Sequence, residues 1–185
     1  IKQHHVINHT SGEEMNEERN ILVESARIAR GEVVSLSKLD KDTISSLVIP
    51  GGFGSAKNLS NWAFKGQNGE VLQEVKDLIL HCVENKKPIV ALCISPTLIA
   101  KSLEGTDNHA LLTLGTSFEK SEYNIAEIHD AVSSVGATTI NKSIKEICVD
   151  ENLKIISAPC YMMDAKMDEV YANIKSAIDK LSELL

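Results

Sequence analysis

Cys93 closes the apolar run Ile89–Leu92 in the stretch PIVALCISPTLIAKSL, immediately before Ser95-Pro96. Four apolar residues bounded by turn chemistry read as a buried strand. Pro96 suits the first turn of a helix, where its missing N–H would have no intrahelical partner. A thiol at such a strand-to-helix turn sits beside backbone N–H groups and the positive end of a helix dipole, and both favour the thiolate used in nucleophilic or redox chemistry. Free cysteine also serves as a small buried hydrophobe, so the turn alone leaves packing and chemistry both open. The second stretch is PGGFG at 50–54. Paired glycines let backbone amides approach a ligand oxygen, which makes Gly51 and Gly52 candidates for an oxyanion hole beside the Cys93 loop, or else a plain turn. The stretch is neither a Gly-x-Gly-x-x-Gly dinucleotide fingerprint nor a phosphate-binding loop, which needs Gly-Lys-Ser/Thr.

The elements that must position these loops follow from periodicity. Ile21, Leu22, Val23, Ala26 and Ile28 predict a helix over 16–30, with Arg19, Asn20, Glu24 and Arg27 as a polar stripe that is a solvated face or a subunit contact. EVVSL at 32–36 and the run at 47–49 read as short strands. Val71, Val75, Leu78 and Cys82 recur at helical spacing, as do the apolar residues of 122–137 up to Gly136. ALLTLG at 110–115 reads as a strand, and IKEICVDENLKIISAP holds two alternating segments around DEN, a hairpin. The last helix is expected to face Met167, Val170, Ile174, Ile178 and Leu181 inward. Strands alternating with helices imply a mostly parallel sheet covered on both faces, and in such sheets the site lies beyond the carboxyl ends of the strands. That rule selects the loops after 47–49 and 89–92.

Composition narrows the classes of function. The 185 residues, 43% hydrophobic and 24% charged, suit one globular domain spanning 1–185. A net charge of -7 with 19 Lys+Arg and no basic-aromatic cluster argues against a nucleic-acid partner. No apolar run approaches the roughly 20 residues that cross a bilayer, so no membrane partner is expected. Cys82, Cys93, Cys148 and Cys160 lack Cys-x-x-Cys spacing, which suggests reduced thiols in a cytoplasmic compartment. The six histidines show no zinc-finger spacing, so no metal is expected; His109 and His129 become candidate bases only where folding brings them to Cys93.

Taken together, LVIPGGFGSAKNLSN and PIVALCISPTLIAKSL resemble the PfpI-type intracellular protease/glyoxalase superfamily. VINHTSGEEMNEERNILVESARIARGE, LTLGTS and VDENLKIISAPCYM narrow the resemblance to its ElbB-like branch. The resemblance implies a class I glutamine amidotransferase-like α/β/α sandwich with a flavodoxin-like, mostly parallel sheet. It places Cys93 at a nucleophile elbow, with the amides of Gly51, Gly52 and Ile94 facing the substrate oxygen. An acidic residue after the first strand normally pairs with the cysteine, and that strand, its helix and the acid are expected upstream of Ile1.

Proteolytic relatives carry His after the nucleophile, where this chain has Ile94, so the Cys-His pair for amide hydrolysis lacks its base. The His-x-Glu of the glutamine amidotransferases has no match either, since His129 is followed by Asp130-Ala131. What the resemblance then implies is a cofactor-free glyoxalase acting on a small aldehyde, linked to isoprenoid metabolism. The alternative is a cysteine redox sensor or regulatory protein of that metabolism. A homodimer is expected in either case, cytoplasmic, or mitochondrial in a eukaryote.

Overall fold

Ile89–Leu92 forms a strand with all four side chains buried, as expected of a run without polar alternation that is covered on both faces. The structure, a computed structural model, describes all residues 1–185 and divides them into two compact units, Ile1–Asp40 and Lys41–Leu185.

In the first unit, Ile7 and Glu14 form an isolated antiparallel bridge, and Lys2 bridges Asn20. Helix α1 (Ile21–Ala29) starts later than the sequence pattern suggests because Asn20 caps it. The Asn20 backbone is extended, and its side-chain oxygen accepts from the Leu22 and Val23 N–H groups at 2.9 and 3.3 Å. The helix ends where Arg30 turns left-handed. EVVSL does not form the expected strand: Val33 and Val34 are exposed, and Leu36–Lys38 is a single 3₁₀ turn. β-branched residues favour extended backbone, but a strand also needs a ladder partner and a buried face, and this stretch has neither.

The second unit contains β1 (Leu47–Ile49), α2 (Gln73–Glu84), β2 (Ile89–Leu92), α3 (Pro96–Leu103), β3 (Leu111–Leu112), α4 (Ile125–Ser134), β4 (Thr138–Thr139), β5 (Cys148–Asp150), β6 (Ile155–Ala158) and α5 (Met167–Leu184). The main sheet has the order β1-β2-β6-β5, parallel except for β5, which is the antiparallel partner of β6 in the expected hairpin. β3 and β4 pair separately and in parallel. Along β2 and β6, Val90, Leu92, Ile156 and Ala158 cluster with Val170, Ala177 and Leu181 of α5. The alternate residues Ile89, Ala91, Ile155 and Ser157 face the other side and are equally buried. The inward stripe of α5 is therefore Val170, Asn173, Ala177 and Leu181. Met167 is 78% exposed and Ile178 37%, contrary to the helical pattern, because the stripe that meets the sheet passes through Ala177 and leaves its neighbour Ile178 on the flank.

Buried polar side chains attach β3 to the hairpin. The Asp150 carboxylate accepts from the Leu111 N–H at 2.8 Å and, through its other oxygen, from the Asn152 and Leu153 N–H groups at 3.0 Å each. Ser157 Oγ accepts from the Thr113 N–H at 2.9 Å. Asp150→Ala leaves three amides without their acceptor and is expected to cost about 3 kcal/mol. Urea denaturation checks this as a lowered midpoint at unchanged slope.

Candidate active site

At the end of β2 the chain reverses through Cys93, whose φ is +59°. A non-glycine residue in this left-handed region costs roughly 1–2 kcal/mol. The Cys93 N–H stays in register and donates to the Ala158 carbonyl at 2.9 Å. The turn then closes at once, with the Ser95 N–H donating to the Leu92 carbonyl at 3.0 Å. The Thr97 N–H and hydroxyl both donate to the Ile94 carbonyl, at 3.1 and 2.7 Å, and α3 begins at Pro96. The backbone is thus anchored on both sides of a half-buried thiol.

The glycine loop lies directly against this turn. Gly51 has φ +91°, and a Cβ there would sit 2.4 Å from the Leu92 carbonyl oxygen and 2.9 Å from the Cys93 Cβ. Glycine is required for that approach. The buried Ser55 hydroxyl donates to the Gly51 carbonyl at 3.1 Å. Because the C=O and N–H of a trans peptide point in opposite directions, this bond turns the Gly52 N–H away from Ser55. The Gly52 and Ile94 amides face the Cys93 sulfur and act on the thiol as backbone donors. Gly51, Gly52, Cys93 and Ile94 are therefore neighbours, with Gly51 acting through its missing side chain and Gly52 and Ile94 through their N–H groups.

The electrostatic balance differs from the sequence expectation. Burial pushes the Cys93 thiol above its ordinary pKa, and the Gly52 and Ile94 amides pull it down without overcoming that effect. The sulfur thus faces donors suited to an anion in a setting that favours the neutral thiol at rest.

Around it lies a cavity of about 310 Å³ lined by Gly52, Phe53, Ala56, Trp62, Ala63, Cys93, Ile94, Tyr123, Ile128 and Met162. None of these side chains is charged at neutral pH. The segment after Gly52 is helical, as Gly52–Gly54 and then a π turn over Ser55–Leu59. Ser60 Oγ donates to the Ser55 carbonyl at 3.1 Å and accepts from the Trp62 N–H at 3.3 Å, holding the indole at the wall. Phe53, Trp62, Tyr123, Ile128 and Met162 share no common spacing, and nothing in the chain alone signalled them.

Cys160, after Ala158-Pro159, reads in the sequence as a packed thiol near a strand end. β2 and β6 are adjacent and parallel with Leu92 opposite Ala158, so the cysteines that follow them emerge side by side. Cys160, too, is left-handed, with φ +49°, and its N–H donates to Asn173 Oδ1 at 3.0 Å. The Cys93 N–H also faces the Cys160 sulfur; burial, with the nearby Cys93, pushes the Cys160 thiol up to about 12. The signal available beforehand was the pair of matching strand ends, IVALC and IISAPC.

No histidine lines the cavity. His129 is buried on α4, and burial lowers its pKa. His109 Nδ1 lies 2.9 Å from the Gly136 carbonyl, and His81 Nε2 3.5 Å from Asp42. The polar stripe on α1 pairs within its own unit, Arg27 with Glu24 at 3.0 Å and Arg19 with Glu17 at 3.1 Å. The structure gathers no group of three or more metal-ligating side chains, and no helix is long and apolar enough to cross a membrane.

No protein-family model matches the chain. The chain is 36% identical over 186 residues to the ES1 protein homolog, mitochondrial, of Rattus norvegicus, covering 100% of this chain and 68% of that protein. It is 35% identical, with the same coverage, to glutamine amidotransferase-like class 1 domain-containing protein 3, mitochondrial, of Homo sapiens. The crystal structure of an isoprenoid biosynthesis protein with amidotransferase-like domain from Ehrlichia chaffeensis has a TM-score of 0.85 at 32% identity, covering 100% of this chain and 80% of that one. The mixed α/β architecture with its mostly parallel sheet is thus that of the amidotransferase-like fold.

The two glycines are expected to respond differently to substitution. Gly51→Ala meets backbone at 2.4 Å and is expected to lose more than about 2 kcal/mol. Gly52→Ala enters open space and bears only its left-handed φ, about 1 kcal/mol. Urea midpoints of the two variants measure the contrast.

Proposed function

The chain belongs to the ES1 family of glutamine amidotransferase-like class 1 domain proteins, and on that premise we propose that it is a cofactor-free, cysteine-dependent glyoxalase acting on 2-oxoaldehydes. The observation that supports this reading most directly is the pair of amides, Gly52 and Ile94, aimed at the Cys93 sulfur. Donors placed there meet an alkoxide oxygen formed next to the sulfur, where preorganised dipoles stabilise charge without reorganising. The reading places the chain in the ElbB-like branch of the PfpI-type superfamily. It also places the protein in the cytoplasm, or in the mitochondrion of a eukaryote, as the rat and human relatives are named.

The chemistry proceeds in three steps. The Cys93 thiolate adds to the aldehyde carbon, forming a C–S bond while the carbonyl π pair moves to oxygen, and protonation gives a hemithioacetal. A proton then passes from the former aldehyde carbon to the adjacent carbon while the hydroxyl proton passes to the neighbouring oxygen, which leaves the thioester of a 2-hydroxy acid. Water hydrolyses the thioester, releasing the acid and regenerating the thiol. The cavity wall carries no carboxylate or imidazole. The proton shift is therefore assigned to an acid/base group outside that lining, in keeping with the acidic partner that the superfamily resemblance implies.

Cys93→Ala is expected to abolish conversion of glyoxal to glycolate. With the thiol held above its ordinary pKa, the thiolate fraction keeps growing as pH rises through and beyond the usual thiol range near 8.5, so kcat/KM of the native chain climbs by up to roughly tenfold per pH unit. Unchanged turnover in the variant removes Cys93 from the mechanism.

A second reading, a cysteine redox sensor, is favoured by the adjacency of Cys160. Peroxide converts the Cys93 thiol to a sulfenic acid with release of water. The Cys160 thiol, giving up its proton, displaces hydroxide from that sulfur to form a disulfide and a second water. Mild peroxide is then expected to join the two cysteine peptides with loss of two hydrogens, as read by non-reducing peptide mass spectrometry. Oxidation confined to other residues rules the sensor out.

A further inference from the structure

We infer that the Cys93 cavity selects 2-oxoaldehydes bearing an apolar alkyl or aryl group over glyoxal itself; this deepens the glyoxalase reading and rests on it. The reacting end of the cavity is small and polar, consisting of the Cys93 sulfur and the Gly52 and Ile94 amides. The rest of the wall is mostly apolar, with the aromatic residues Phe53, Trp62 and Tyr123 beside Ala56, Ala63, Ile128 and Met162. The apolar wall also begins immediately beside the reacting atom. Gly52 is followed directly by Phe53, and Ile94, whose amide faces the sulfur, is itself part of the lining. A group attached to the carbonyl carbon therefore meets hydrocarbon within one residue of either donor.

The cavity's size points the same way. About 310 Å³ lies at the lower end of the range for small-molecule pockets, roughly 300–1,000 Å³, and exceeds what the four heavy atoms of glyoxal fill. Glyoxal, strongly hydrated in water, gives up hydrogen bonds on entering such a site and offers no apolar surface in return. A phenyl or short alkyl substituent buries its surface against the aromatic wall. No charged side chain lines the cavity, and the Lys57 ammonium sits over the Phe53 ring, 4.7 Å from its centroid.

The test separates the cavity from the catalysis by using N-alkylmaleimides, in which the thiolate adds across the C=C bond and the adjacent carbon takes a proton. Second-order rate constants for Cys93 in the full chain, located by peptide mass and divided by those of glutathione, are expected to rise at least about tenfold from N-methyl- to N-hexylmaleimide. Phe53→Ser, at a position 64% exposed and so tolerant of change, is expected to cut that gain about threefold. A flat or falling series overturns the inference. In turnover, kcat/KM for phenylglyoxal is expected to exceed that for glyoxal by about tenfold, a ratio that shrinks in Phe53→Ser. If the maleimide series rises while no 2-oxoaldehyde is converted, the glyoxalase reading falls and the apolar selectivity of the cavity stands. If glyoxal and phenylglyoxal are converted equally and the series is flat, the selectivity falls and the glyoxalase reading stands.

Discussion

The site depends on one close approach, that of Gly51 to the end of β2. The glycine loop can lie on the Leu92 carbonyl and the Cys93 Cβ only because position 51 has no side chain and adopts a positive φ. The glycine loop's contribution to the Cys93 site follows from that contact. It brings the Gly52 amide to the sulfur, and it allows the Ser55 hydroxyl, by holding the Gly51 carbonyl, to set the direction in which that amide points.

The strain at the turn is offset by the elements that flank it. Cys93 holds its left-handed conformation between a sheet hydrogen bond to Ala158 and the first turn of α3, and β2 beneath it is buried on both faces. Strain of roughly 1–2 kcal/mol is small against the burial of four apolar side chains in one strand. The same rigidity fixes Cys160 beside Cys93, because two parallel strands in register deliver their following residues to the same edge of the sheet.

The electrostatics of the thiol are a compromise between two demands on one location. The apolar wall desolvates the sulfur and raises its pKa, while the Gly52 and Ile94 amides act against that rise. On the glyoxalase reading proposed above, amides that only partly stabilise a resting thiolate remain available to an oxygen anion formed next to the sulfur. Differential stabilisation of that kind favours an anion that develops during reaction over one already present.

Local sequence was enough to recognise most elements of Lys41–Leu185. The unbroken apolar run Ile89–Leu92, Pro96 at the next helix start, and the alternation around Asp150–Lys154 each carry a period or a stop signal that reflects short-range sterics. Those signals also located Cys93 and the glycine pair on adjacent loops, because the ends of parallel strands share one side of a sheet. EVVSL was misread because extended propensity does not supply a ladder partner, and the inward face of α5 was misread because the stripe is chosen by the sheet it meets. The sequence by itself determined that Cys93 sits at a strand-to-helix turn and that the glycine pair follows a neighbouring strand, since these are matters of backbone geometry over a few residues. Only the tertiary structure decided the aromatic wall, the partnership with Cys160 and the direction of the thiol's pKa shift. Those depend on burial and on contacts between residues distant in the chain, and no local period encodes them.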